Sequence, residues 1–155
     1  MSFSELIENY QQGPKLLAEA IAGMTDEQLK ARPVPGKWST MEVVSHIADF
    51  EPILCDRMFR VISHERPLLL VADENLFHET THPNERDIAA EMNLIQAMRT
   101  KMYGILKKLP TDAATRFGVH SFKGLVSLEA VVQAATNHIP HHLKFISQKR
   151  AALGI

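Results

Sequence analysis

The chain predicts an all-α fold, an up-down-down-up four-helix bundle, and three observations carry that prediction. Four long stretches repeat apolar residues at helical spacing, two capping boxes punctuate the first third, and the connection between the second and third long helices is long enough to cross a bundle. All 155 residues are read as a single domain (1–155), with enough chain to bury a sizeable core.

The first helix is expected from about Ser4 to Met24, with Leu6, Ile7, Tyr10, Leu17, Ile21 and Met24 on one side. Gly13-Pro14 interrupts it and predicts a kink or a restart, because proline removes a backbone donor. Thr25-Asp26-Glu27-Gln28 is a capping box for a short helix that must stop before Pro33. A second capping box, Ser39-Thr40-Met41-Glu42, opens the next long helix. That helix carries Val43, His46, Ile47, Phe50, Leu54, Met58 and Val61, and Pro52 should bend it.

Residues 63 to 83 have no clear period, and they hold Pro67, Pro83, four acids and three histidines. A tight hairpin needs only a few residues, so a stretch of this length reads as a crossover that sets the third helix parallel to the second. The third helix is expected from about Asn84 to Leu109, with Ile88, Met92, Ile95, Met98, Met102 and Ile105 inward. A second connection, Pro110 through Val126, turns at Gly118 and Gly124. Ser127 is the expected N-cap of the last helix, which runs to about Arg150 before Gly154.

Composition narrows the function. Apolar residues make up 45% of the chain and charged residues 23%, a globular balance and not a disordered one. Lysine and arginine number 17 against 18 acids, with no basic stretch, so nucleic acid is not an expected partner. The longest apolar run, Leu68 to Ala72, is too short for a bilayer, and the first residues carry no leader pattern; a cytoplasmic, membrane-free protein is the expectation. The one cysteine, Cys55, excludes an internal disulfide or a cysteine-based zinc cage and reads as core packing.

The last helix concentrates the chemistry. Leu128, Val131, Ala135, His138, His142 and Phe145 follow a 3, 4, 3, 4, 3 spacing that marks one inward seam, and two of the six are imidazoles. His46 lies at the edge of the apolar stripe of its own helix. Two readings stand: core histidines bonded to carbonyls, or three neutral ligands for a divalent metal (Zn, Ni, Fe or Mn) with an open fourth position. His142 fits the seam better than His141, which falls beside it, and Pro140 should bend or widen the helix between the ligands. Ile139 stands where a zinc protease has its base, so that chemistry is set aside. His64, His78, His82 and His120 fall in connections and are read as solvated, with one of them free to close over the metal. Asp49 and Glu51 lie near His46 but can equally be solvated; Trp38 either staples the helix start or walls a pocket.

Two segments resemble the DinB-like superfamily of metal-dependent enzymes, which includes YfiT-type proteins: Gly36-Lys37-Trp38-Ser39-Thr40-Met41-Glu42-Val43-Val44-Ser45-His46-Ile47-Ala48-Asp49 and His138-Ile139-Pro140-His141-His142. The resemblance implies the four-helix bundle, a divalent metal on His46, His138 and His142, and a homodimer. It also implies an enzyme of thiol S-transferase or hydrolase type, acting on a small molecule and in some relatives using a low-molecular-weight thiol. The alternative is a non-catalytic, stress-related bundle that the metal only braces.

Overall fold

A computed structural model describes residues 1–155. The helices are α1 (Phe3–Ile21), α2 (Asp26–Lys30), α3 (Thr40–Ser63), α4 (Glu74–Thr80), α5 (Ile88–Leu106) and α6 (Leu128–Leu153). Both expected capping boxes form: Thr25 accepts from the Gln28 amide and Ser39 from that of Glu42, with the glutamine and glutamate side chains returning to the cap amides. Ser2 and Glu5 form a third at the head of α1. Each box satisfies otherwise orphaned amides, an effect of about 1 kcal/mol per cap.

The long helices α1, α3, α5 and α6 form the bundle, and the apolar stripes of α1 and α3 pack where their periods point. One cluster joins Leu6, Ile7 and Tyr10 of α1 to Leu54, Met58 and Val61 of α3, Met102 and Leu106 of α5, and Leu128, Val132 and Ala135 of α6. A second joins Leu17 to Val43, Val44 and Ile47, then to Ile95, Ile139 and Ile146. The start of α1 therefore meets the start of α6 and the ends of α3 and α5, the pairing that an up-down-down-up order requires. Each fully buried aliphatic side chain contributes about 1.5–3 kcal/mol through removal from water.

Between the clusters lies a polar group that periodicity did not flag. Arg99 of α5 is fully buried and pairs with Glu51 of α3, which is also fully buried, through Nε–Oε1 at 3.0 Å and Nη2–Oε2 at 3.1 Å. Its Nη1 donates to the Tyr10 carbonyl at 2.9 Å and its Nη2 to the Ala135 carbonyl at 2.7 Å, while the Tyr10 hydroxyl donates to Glu51 at 2.8 Å. This explains Gly13-Pro14, which does not restart the chain: α1 is helical throughout. Pro14 lacks the N–H that would have taken the Tyr10 carbonyl, so that oxygen is available to Arg99. A Cβ at Gly13 would overlap the Arg99 guanidinium.

The two connections are more structured than their composition suggested. β1 (Leu68–Leu69) in the crossover pairs in parallel with β2 (Phe117–His120), and β2 pairs antiparallel with β3 (Gly124–Ser127). Leu68 faces Val119 and Leu69 faces His120, so the crossover is tied to the second connection. Gly118 permits this approach: a Cβ there would lie 3.0 Å from the Pro67 carbonyl oxygen. After β1 the crossover forms α4, capped by Asp73, and then a 3-10 turn at Pro83–Glu85. Left-handed backbone at His82 and the Asp87 cap move the start of α5 to Ile88, four residues later than expected.

Candidate metal centre

The helix capping that starts α3 also fixes the approach to the centre. Glu42 is buried and accepts from the Ser39 amide at 2.6 Å, from Arg32 through Nε at 3.0 Å and Nη2 at 2.5 Å, and from His78 Nε2 at 3.0 Å. Burial alone would raise its pKa, but these donors outweigh it and hold the carboxyl at about 2. His78, on α4, stacks on Trp38 with ring centroids 4.6 Å apart. It is therefore not solvated, contrary to expectation, and neither is His120, whose Nδ1 accepts from the Phe122 and Lys123 amides. His64 and His82 are exposed.

One turn after Glu42, His46 meets the two histidines of α6. The His46 Nε2 lies 3.0 Å from His138 Nε2 and 3.1 Å from His142 Nε2, across 92 and 96 residues of sequence. No other cluster of three or more potential metal-ligating side chains forms. The α-helix continues through Pro140 without the expected widened turn. The core line of α6 departs from the predicted seam at this point: Ile139 and Ile146 enter the apolar core, while His138, His142 and Phe145 remain half-buried beside it. Phe50 and Trp38 wall the cluster, with centroids 4.8 and 5.5 Å from the His46 ring.

Electrostatics favour neutral rings. Burial, followed by the neighbouring imidazoles, pushes His138 down to about 2 and His142 to about 3; burial also lowers His46, partly offset by Glu74 and Asp49. A ring nitrogen carries either a proton or a lone pair, and one proton cannot serve three converging Nε2 atoms well. Nitrogens sharing a tetrahedral cation with bonds of about 2.0–2.1 Å stand about 3.3 Å apart, close to the 3.0 and 3.1 Å that separate His46 Nε2 from those of His138 and His142. The His138 Nδ1 is buried without a partner, so no main-chain oxygen orients that ring as the core-histidine reading requires. The donor set fits a divalent cation.

Two groups beside the cluster carried no motif. Glu74, at the start of α4, places Oε2 3.8 Å from His46 Nε2, with its side chain 55% exposed. Lys149 is only 3% exposed, and it continues the 3, 4 seam spacing four residues beyond Phe145, a signal that could have identified it. Both line a cavity of about 390 Å³ beside His142, together with Lys37, Trp38, His141 and Phe145. His141 is exposed and edge-on to His142, outside the converging nitrogens. Trp38 both packs on the second core cluster and walls the cavity. Asp49 pairs with Arg86 at 2.7 Å, and Glu51 is committed to Arg99, so neither is a solvated acid near the cluster. Cys55 is buried, as expected, and burial raises its thiol to about 11.

Fold and site together define a helical bundle with a three-histidine centre open to a cavity. The chain belongs to the DinB superfamily, whose model matches residues 9–146. It is 28% identical over 145 residues to a protein of Oceanobacillus iheyensis named "putative metal-dependent hydrolase", covering 93% of this chain and 83% of that one. It is 25% identical over 149 residues to "putative metal-dependent hydrolase YfiT" of Bacillus subtilis, covering 96% and 84%. The solved YfiT structure, a four-helix bundle of unusual topology, superposes with a TM-score of 0.90 at 24% identity over 98% of this chain and 87% of that one. A mycothiol-dependent maleylpyruvate isomerase shares the fold with a TM-score of 0.72 at 14% identity, covering 93% and 60%. No helix is long and apolar enough to cross a membrane.

Proposed function

We propose that this protein is a metal-dependent enzyme that activates water or a thiol against a small electrophilic substrate, with His46, His138 and His142 holding the metal. The observation that carries the proposal is the approach of the His138 and His142 Nε2 atoms to within 3.1 Å of His46 Nε2, beside a cavity. A divalent cation on three neutral ligands keeps its charge and lowers the pKa of a water or thiol toward neutrality.

The chain's own residues supply the remaining parts. Glu74, beside His46 and open to solvent, is placed to take the nucleophile's proton. Trp38, on which His78 stacks, and Phe50 wall the cluster and limit water on that side. Cys55 is too deeply buried to serve as the thiol, so a thiol would be a co-substrate. The names of the relatives favour water, and the mycothiol dependence of the fold neighbour is the reason to keep a low-molecular-weight thiol in the reading. A homodimer belongs to the same proposal, and exposed Leu68, Leu70, Phe122 and Leu125 around the sheet offer it apolar surface.

Elemental analysis of untagged protein tests the ligand set. About one divalent metal per chain is expected, falling to near zero in His46→Ala and His142→Ala. Unchanged content in both variants would remove the reading. A bracing role for the metal would instead enlist Glu74 as a fourth ligand, and Glu74→Gln would then lower metal content as well.

A further inference from the structure

The cavity beside the histidines has a cationic lining that the metal reading does not use. Lys149 is 3% exposed, yet its only hydrogen bond is to the Phe145 carbonyl of its own helix, at 3.2 Å, with the Phe145 ring centroid 5.9 Å from Nζ. A buried ammonium has three donors and normally keeps an acid beside it. Glu42, the acid whose field it feels, is already committed to Arg32, Ser39 and His78. Lys37, on the loop before α3, lines the same cavity and also acts on Lys149. The negative end of α6 offsets part of the cost of burying the charge. The one carboxylate in the lining, Glu74, stands beside His46.

We propose that Lys149, assisted by Lys37, is the anchor for an anionic head group, so that this enzyme's substrates are small molecules carrying a carboxylate or a phosphate. A volume of about 390 Å³ suits such a substrate. The apolar walls, Trp38, Val43 and Phe145, would take its hydrocarbon part, leaving the reactive end toward His142. This inference rests on the proposed function for the reaction it serves, but not for the binding itself.

The chain has one tryptophan, and it lines the cavity, so Trp38 emission reports occupancy. Glutarate, ethyl phosphate and the neutral glutaramide are titrated into metal-loaded and metal-stripped protein. The anions are expected to bind roughly tenfold or more tightly than glutaramide in both forms, and the tighter of the two identifies the head group. Lys149→Met should abolish the preference in the stripped protein, Lys149→Arg should keep it, and Lys37→Gln should reduce it by a smaller factor. Equal affinity for charged and neutral probes in the wild type, or an unchanged preference in Lys149→Met, overturns the anchor. If Lys149→Met does not fold, Lys37→Gln decides: weaker anion binding with unchanged glutaramide binding is required. A preference that survives metal stripping upholds the anchor even if metal analysis rejects the ligand set. Its absence in metal-replete protein rejects the anchor alone.

Discussion

Two polar clusters sit inside one bundle, one joining all four long helices and the other joining α3 to α6, and their chemistry is opposite. Around Arg99, donors and acceptors answer one another: the guanidinium meets a carboxylate and two carbonyls, and Tyr10 takes a remaining acceptor of Glu51. Around His46, three ring nitrogens are pressed together and His138 Nδ1 has no partner. Both groups are polar and largely buried, so burial does not separate structure from function here. Internal satisfaction does. A cluster that balances its own hydrogen bonds holds the fold, and one that leaves ring nitrogens converging without balance has the donor set to take a cation.

That contrast can be broken by substitution. The largest effect is expected for Arg99→Met, which strands the Glu51 carboxylate; urea unfolding should show a loss of about 3–5 kcal/mol, in metal-stripped as in metal-loaded protein. Next, Glu74→Gln should lower turnover about 100-fold or more through loss of a proton acceptor, while metal content and unfolding midpoint stay at wild-type values. Gly13→Ala comes third. Its methyl group crowds the guanidinium and should cost about 1–3 kcal/mol, again in metal-stripped as in metal-loaded protein.

The smallest effect sharpens the comparison through pH. Glu42 has a folded pKa of about 2, below its ordinary 4.5. Its ionised form is therefore favoured by folding: the stability it contributes is present above about 4.5 and is lost as pH falls toward 2. Unfolding free energies measured from pH 6 to pH 2 should decline in the wild type, and Glu42→Gln should flatten part of that slope. An equal slope in both proteins would mean that the Arg32, Ser39 and His78 contacts do not form.

The capping boxes at Thr25 and Ser39 and the Ser127 cap were legible in the sequence because their hydrogen bonds are local. The pair His138 and His142 was legible because helical spacing places them on one face. Arg99 was not, since a charge on an amphipathic helix reads as solvent-facing unless its distant partner Glu51 is known. The three strands were missed for a similar reason: Leu68–Leu69 is too short for any period, and its pairing with Val119 and His120 is non-local. Glu74 belongs to that stretch. Lys149 stood in plain view on the seam, but its charge argued against an inward position.

Apolar stripes are forgiving, because sliding one helix past its neighbours by a turn, about 5.4 Å, still presents leucine and valine to more of the same. Arg99 is not forgiving. From α5 it grips α1 at Tyr10, α3 at Glu51 and α6 at Ala135, so one side chain reads the axial position of all four rods at once. A slip of any of them would leave a charge stranded in hydrocarbon. Ala135 is three residues from His138 and Glu51 five from His46, so the pin that forbids slippage also sets the height at which the imidazoles meet.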